Sequence, residues 1–191
     1  MSRSAVNSGV VLLATVAMAC AADTPIDTAR STITIHVGKA GLLSAAGHEH
    51  WINAPISSGI IREAGAPRVE FTVDTAKMTV KADPKVDAKT QAEVQKDMEE
   101  MTLETKKFPA IAFHSSRIEK SAEGQWKVTG DLSLHGVTKP VTLVVRRNGG
   151  PYNAHTVLKQ TDFGIQPVSV AGGMIKVKNE VDLDFQIFPA Q

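Results

Sequence analysis

The clearest hydrophobic pattern lies at the C-terminus, where apolar and polar residues alternate from Ile175 to Ile187. Alternation with a period of two places one set of side chains in a core and the other in solvent, as in a half-buried antiparallel strand. The same pattern recurs in six shorter segments: 33–37, 69–73, 111–113, 126–128, 132–134 and 141–145. The chain is therefore predicted to contain at least seven strands.

The segments between these strands carry the residues that favour tight turns, chiefly glycine and proline: 65–67, 122–124, 135–140 and 148–151. Consecutive hairpins predict a meander, and a meander removes its exposed edges by closing on itself. We therefore predict an all-β fold, an antiparallel up-and-down barrel of about eight strands. The strand residues are mostly Val, Ile, Leu and Ala, so the interior is not easily filled and a ligand cavity is favoured.

One segment departs from the strand pattern and predicts an amphipathic helix over about 84–107. Asp83 suits an N-cap and Pro84 suits the first helical position. Apolar residues then follow at helical spacing: Val94, Met98 and Met101. We expect this helix to cover an open end of the sheet, with a gate for a ligand as the alternative.

Residues 1–22 have the features of a secretory signal peptide: Arg3, an apolar run over 10–19, and small residues after it. That run is too short to span a bilayer, and no later stretch replaces it, so no stable membrane insertion is expected. Residues 23–191 would form the exported domain. Cys20, the single cysteine, would be removed with the signal, with its lipidation as the alternative.

The charge balance excludes strong electrostatic attraction to polyanions. The chain has 21 basic and 20 acidic residues among 191, a formal net charge of +1. Because phosphate backbones are bound mainly through excess positive charge, no nucleic-acid partner is expected.

Three segments together resemble the YceI-like family: 108–116 (FPAIAFHSS), 128–141 (VTGDLSLHGVTKPV) and 161–165 (TDFGI). The resemblance implies a lipocalin-like barrel in the periplasm, with an elongated apolar tunnel that in some members holds a polyisoprenoid or another long-chain amphiphile. It brings no catalytic residues and no cofactor. We therefore expect a non-enzymatic protein that sequesters or carries a lipid such as a polyisoprenoid or an isoprenoid quinone. The oligomeric state is left open, a dimer included.

The residues expected to line the tunnel are apolar and lie on predicted strand faces; ordinary core packing is the alternative for each. They are Phe71, Val73, Ile111, Phe113, Trp126, Leu132, Leu134, Leu143, Val157, Phe163 and Val177. Burying a long chain against such walls contributes roughly 0.8 kcal/mol for each CH₂.

His48 and His50 form the most chemically suggestive local pair. Histidines at i and i+2 of a strand point to the same face, and neutral imidazoles are common zinc or copper ligands. A metal site would need a third ligand, for which His36, His114, His135, His155 and Glu49 are the candidates. A metal-binding or stress-linked protein centred on this pair is the alternative function. The other interpretations are contacts to a lipid head group or hydrogen bonds within the fold.

Overall fold

A computed structural model describes residues 22–41, 43 and 48–191. The signal peptide predicted for 1–22 and Cys20 therefore lie almost entirely outside the described residues, and export stays a prediction. Within the described part, no helix has the length and apolar character needed to cross a bilayer.

Twelve antiparallel strands and one α-helix make up the described part of the chain. The strands are β1 (Thr24–Pro25), β2 (Thr32–Ala40), β3 (His50–Asn53), β4 (Ile56–Arg62), β5 (Arg68–Asp74), β6 (Thr79–Val80), β7 (Ala110–Ala122), β8 (Gln125–Leu134), β9 (Val137–Arg147), β10 (Tyr152–Lys159), β11 (Ser169–Val170) and β12 (Ile175–Ile187). The helix α1 spans Ala88–Asp97.

The strands form one curled sheet in the order β1-β4-β5-β7-β8-β9-β10-β12-β2-β3-β6, with β11 on β12. The strands at its two ends are β1 and β6. The β1 end approaches the end of β12, because Ile26 after β1 bridges Pro189 after β12. The predicted all-β antiparallel architecture is confirmed. The predicted number of about eight strands differs because three strands have only two residues, and Ala54 and Pro55 alone separate β3 from β4.

The alternating segments fall inside observed strands, with one change. The segments 126–128 and 132–134 belong to a single strand, β8, which runs through Gly130. A side chain at Gly130 would collide with the His114 carbonyl oxygen and the Phe113 ring, because a Cβ there would lie 2.5 Å from each. Glycine therefore marks a close approach between strands at this position, not a break between them.

The helix begins later and ends earlier than predicted. Asp87, not Asp83, is the N-cap: its carboxylate accepts hydrogen bonds from the backbone N–H groups of Lys89 and Thr90 at 3.0 Å and from the Thr90 hydroxyl at 2.7 Å. These bonds lower the pKa of Asp87. Asp83 and Pro84 instead belong to a turn closed by a hydrogen bond from the Val86 N–H to the Asp83 carbonyl. The Asp83 carboxylate accepts one hydrogen bond, from the Lys85 N–H at 2.9 Å, whereas the Asp87 carboxylate accepts three, which favours the later cap.

After α1 the chain widens into a π-helical turn, Met98–Thr102. The Leu103 N–H donates to the Met98 carbonyl oxygen, five residues back, at 2.8 Å. The wider turn rotates the following residues, so Met98 and Leu103 are buried while Met101 is 71% exposed. The prediction that Met101 shares the buried face with Met98 is therefore wrong.

Candidate functional site

Two cavities lie inside the curled sheet, one towards each end. We call the cavity beneath α1 the helix cavity; its volume is about 230 Å³. We call the cavity beside the β4–β5 hairpin turn the hairpin cavity; its volume is about 330 Å³. A buried water needs about 10–15 Å³ of such space, so each cavity is large enough for an organic ligand.

The helix cavity contains nine of the eleven residues predicted to line a tunnel. They are Phe71, Val73, Ile111, Phe113, Leu132, Leu134, Leu143, Phe163 and Val177. Strand alternation places eight of them there, because inward side chains of neighbouring strands share one face. Phe163 instead lies at the end of a short 3-10 helix, Gln160–Phe163. Their role in binding a ligand stays a prediction.

The other two predicted residues lie elsewhere. Trp126 lines the hairpin cavity and packs edge-on against Tyr152, with ring centroids 5.7 Å apart. Val157 is 50% exposed on the outer face, so its assignment to the tunnel wall is wrong. It pairs with Asp182 of β12, while its neighbours Thr156 and Leu158 line the helix cavity. An isolated valine does not fix the face of a strand, because valine favours strands on either face.

Further residues line the helix cavity, and two of them come from segments that have no regular hydrophobic period. Met78 and Leu103 lie in loops and are both buried against the cavity. Phe185 and Leu183 belong to the alternating C-terminal strand, so the pattern already placed them on its apolar face. Buried Gln160 also borders the cavity, and its side-chain amide donates to the Lys178 carbonyl oxygen at 2.8 Å.

Phenylalanine side chains lie between the two cavities. Phe71, Phe113 and Phe185 contribute to both walls, together with Leu143. The Phe71 and Phe113 rings stack at 5.5 Å between centroids, and Phe185 lies 6.4 Å from Phe71. We call Phe71, Phe113 and Phe185 the phenylalanine waist. It is the place where the two cavities meet.

A glutamine secures α1 over the helix cavity. The Gln95 amide accepts a hydrogen bond from the Val80 N–H at 2.7 Å and donates to the Met78 carbonyl oxygen at 2.9 Å. It also donates to Glu99 at 2.6 Å. Val94 and Met98 of the same segment then face the cavity. The cover is thus held by polar contacts at its edge and by apolar packing over the opening.

The hairpin cavity is bordered by two groups of charged residues. Asp23 accepts hydrogen bonds from Arg62 at 2.8 Å and Arg68 at 2.6 Å, and the bond from Arg68 is the main reason why the pKa of Asp23 is lowered. On the other side, the Tyr152 hydroxyl donates to Glu63 at 2.6 Å, and Arg147 donates to both residues at 2.8 Å. We call Glu63, Arg147 and Tyr152 the Glu–Arg–Tyr clamp.

Tyr152 shows the electrostatic effect of this clamp. Burial of the phenol and its hydrogen bond to Glu63 raise the pKa of Tyr152 to about 12, against a smaller opposing effect of Arg147. Burial and a neighbouring carboxylate both disfavour the phenolate. The phenol therefore stays a hydrogen-bond donor across the neutral range.

The histidine pair does not form the predicted arrangement. Strand β3 begins at His50, so His48 lies before it and is exposed, and the two side chains do not share a strand face. His50 lines the helix cavity, and burial lowers its pKa, with a smaller contribution from His48. A neutral imidazole at the cavity edge is consistent with the predicted contact to a polar head group, which stays a prediction.

The candidate third ligands do not join this pair. His36 lies on the outer face, where it stacks on Trp51 and contacts Glu49 at 3.2 Å and Asp182 at 3.5 Å. Across residues 22–41, 43 and 48–191, no three His, Cys, Asp or Glu side chains are grouped so as to hold a metal ion. No observation in the described residues therefore favours the alternative metal-centred function.

Comparison with known proteins assigns the chain to a family. The model of the YceI-like domain matches residues 25–188. The chain belongs to the YceI-like family. This confirms the resemblance carried by segments 108–116, 128–141 and 161–165.

Curated relatives match only part of the chain. A UPF0312 protein of Pseudomonas putida (strain W619) is 37% identical over 95 residues, which are 44% of this chain and 46% of that protein. A UPF0312 protein of Shewanella denitrificans is 42% identical over 74 residues, 34% of this chain and 39% of that protein. The chain thus matches less than half the length of these curated relatives.

Two solved structures match the fold over most of the chain. BcnA of Burkholderia cenocepacia has a TM-score of 0.57 and 18% identity, covering 85% of this chain and 98% of that one. A polyisoprenoid-binding domain of Saccharophagus degradans, implicated in plant cell wall breakdown, has a TM-score of 0.59 and 16% identity, covering 87% and 98%. At sequence identities of 16–18%, the structural similarity shows that this chain shares the fold of these two proteins.

Proposed function

We propose that this protein binds a long-chain amphiphile, such as a polyisoprenoid or an isoprenoid quinone, in the helix cavity and carries it without chemistry of its own. The observation that carries the proposal is the wall of this cavity, which consists almost entirely of aliphatic and aromatic side chains. Filling it with a hydrocarbon chain contributes roughly 0.8 kcal/mol for each buried CH₂. The polyisoprenoid-binding domain of similar fold supports this class of ligand.

The polar groups at the cavity suit the other end of such a molecule. His50, Asp97 and Lys159 border the same space as the apolar wall. Ligand sites of this kind combine a large apolar surface with a few polar groups that fix orientation. We place the apolar chain along the wall and its polar head beside these residues. Export to the periplasm, through the signal peptide predicted for 1–22, is part of the same proposal.

Two substitutions on neighbouring positions of β10 test where the ligand binds. Leu158 lines the helix cavity, whereas Val157 points away from it. Leu158→Trp should fill the cavity and lower the fraction of protein that retains lipid. Val157→Trp, the matched control, should leave that fraction unchanged because its side chain stays in solvent. Retained lipid is measured by native mass spectrometry of protein purified without detergent, followed by extraction.

The comparison is interpretable only for folded variants, so thermal unfolding of both is measured alongside. The helix cavity is supported as the site if the wild-type protein retains lipid, Leu158→Trp retains less of it, and Val157→Trp retains as much as the wild type. Equal retention by both variants would contradict the site. A wild-type protein that retains no lipid from its own host, and takes up no added polyisoprenoid, would contradict the function.

A further inference from the structure

Three apolar side chains project into solvent beside the opening of the helix cavity. They are Leu43 at 45% exposure, Met174 at 41% and Val168 at 37%. The backbone holds them together: the Leu43 N–H donates to the Met174 carbonyl oxygen at 2.9 Å, and the Val177 N–H donates to the Val168 carbonyl oxygen at 3.0 Å. Val168 and Val177 also line the helix cavity, so this apolar group is continuous with its wall.

Two exposed lysines lie next to this apolar group. Lys176 and Lys178 are exposed on either side of inward-facing Val177, as strand alternation requires. The aliphatic part of the Lys178 side chain lies over Gly38, and that of Lys176 lies over Gly173. Both positions have room for it because glycine has no side chain. We call Leu43, Val168, Met174, Lys176 and Lys178 the mouth rim.

The mouth rim carries two positive charges, those of Lys176 and Lys178. The sequence contains no Asp or Glu from 163 to 179 or from 37 to 48. In the part of the chain that the structure describes, no carboxylate lies within ion-pair distance of Lys176 or Lys178. Nearby lysines differ: Lys159 pairs with Glu180 at 4.0 Å, and Lys139 pairs with Asp162 at 3.7 Å. The rim is thus a local positive region on a chain with nearly balanced charge.

We propose that the mouth rim docks the protein onto a lipid bilayer that contains anionic phospholipid. Apolar tips among lysines match the composition of peripheral membrane-binding surfaces, where the tips enter the acyl boundary and the cations meet the head groups. Docking in this orientation sets the opening of the helix cavity against the bilayer. The proposal rests on the proposed function, because it supplies the path by which an apolar cargo enters without crossing water.

Binding to vesicles of stated composition tests the docking surface. The wild-type protein should co-sediment with vesicles of phosphatidylethanolamine and phosphatidylglycerol, and bind phosphatidylcholine vesicles much more weakly. Because each lysine near an anionic bilayer strengthens binding about fivefold, and a buried apolar tip adds to this, Met174→Ser with Lys176→Gln should weaken binding roughly tenfold. Raising the salt concentration should also weaken binding of the wild type.

The control is an equivalent pair on the sheet wall. Val144 is 41% exposed and lies opposite exposed Lys127 on the neighbouring strand. Val144→Ser with Lys127→Gln likewise removes one exposed apolar side chain and one lysine charge. It should leave binding within about twofold, since a lysine far from the bilayer contributes little beyond the Debye length. Equal losses in both double variants, or no vesicle binding by the wild type, would overturn the docking proposal.

A separate measurement keeps this result distinct from the proposed function. The lipid that each purified protein retains is measured by native mass spectrometry. If the wild-type protein retains lipid but does not bind vesicles, the docking proposal is contradicted and the carrier function is still supported. A wild type that binds vesicles through the rim but never retains lipid supports the docking surface and contradicts the carrier function.

Discussion

The two cavities share one wall of strands but are bordered in different ways. Apolar side chains of a helical segment, Val94 and Met98, cover the helix cavity. Charged and hydrogen-bonded groups border the hairpin cavity: Asp23 with its two arginines, and the Glu–Arg–Tyr clamp. Apolar contacts are non-directional, whereas hydrogen bonds fix a geometry. The cover of the helix cavity thus depends on apolar packing and on the hydrogen bonds of one side chain, Gln95, whereas two separate groups of charged residues hold the border of the hairpin cavity. Under the proposed function, the helix end is therefore the one expected to open for a ligand.

The largest expected effect comes from the phenylalanine waist, which keeps the two cavities apart. Phe113 is 2% exposed, so Phe113→Ala should lower the free energy of unfolding by about 3–5 kcal/mol. The same change should join the cavities and lengthen the longest chain that the protein retains. Chemical denaturation and mass spectrometry of extracted lipid measure the two effects.

If Phe113→Ala fails to fold, Phe113→Leu is the second variant, because it removes the ring from the waist but keeps a large apolar side chain. It keeps an apolar side chain at the site and therefore costs less stability. A folded variant whose retained lipids have the wild-type length distribution would show that the waist does not limit chain length.

The next effect concerns the helical cover and its π-helical turn. Met98 is buried and Met101 is 71% exposed, although they lie only three positions apart in the sequence. Met98→Ala should lower the free energy of unfolding by about 2–3 kcal/mol, within the usual range for a buried methionine. Met101→Ala should change it by less than about 0.5 kcal/mol. Thermal or urea unfolding compares the two, and equal losses would contradict the rotation produced by the π-helical turn.

The smallest expected effect concerns the clamp at the hairpin cavity. Tyr152 is the single tyrosine of the chain, so the phenolate absorbance reports its titration alone. The pKa should lie near 12 and should fall when Glu63→Gln removes the neighbouring carboxylate. Burial is the larger cause, so the pKa of the variant should remain above its ordinary value. Circular dichroism over the same pH range verifies that the protein is still folded.

The sign of the linked stability effect follows from the raised pKa. The folded state holds the proton more tightly than the unfolded state, so the contribution of Tyr152 is complete below pH 10 and declines as the pH rises towards 12. Glu63→Gln should make this decline shallower. Tyr152→Phe should remove it and cost about 1 kcal/mol at neutral pH, the usual net value of one hydrogen bond. An unchanged alkaline titration in Glu63→Gln would contradict the clamp.

Much of the barrel was predictable because its signal is local. The alternation from Ile175 to Ile187 became β12, and nine of eleven predicted wall residues line the helix cavity. The same reasoning failed at Val157, where one apolar residue was assigned a face without its neighbours. The sequence pattern also divided β8 into two strands at Gly130. Glycine stands there because the Phe113 ring of the adjacent strand leaves no room for a side chain.

By itself, the sequence determined the strand period, the family and the presence of a helical segment, since each depends on the order of residues along the chain. The tertiary structure alone decided which helical methionine is buried and that phenylalanines from three different strands meet at one waist. It also decided that exposed apolar tips gather at one opening with two lysines that have no carboxylate partner among the described residues. The reason is physical: the burial of a helical side chain, the meeting of phenylalanines and the composition of an opening all depend on packing between segments far apart in sequence, which a local hydrophobic pattern does not contain.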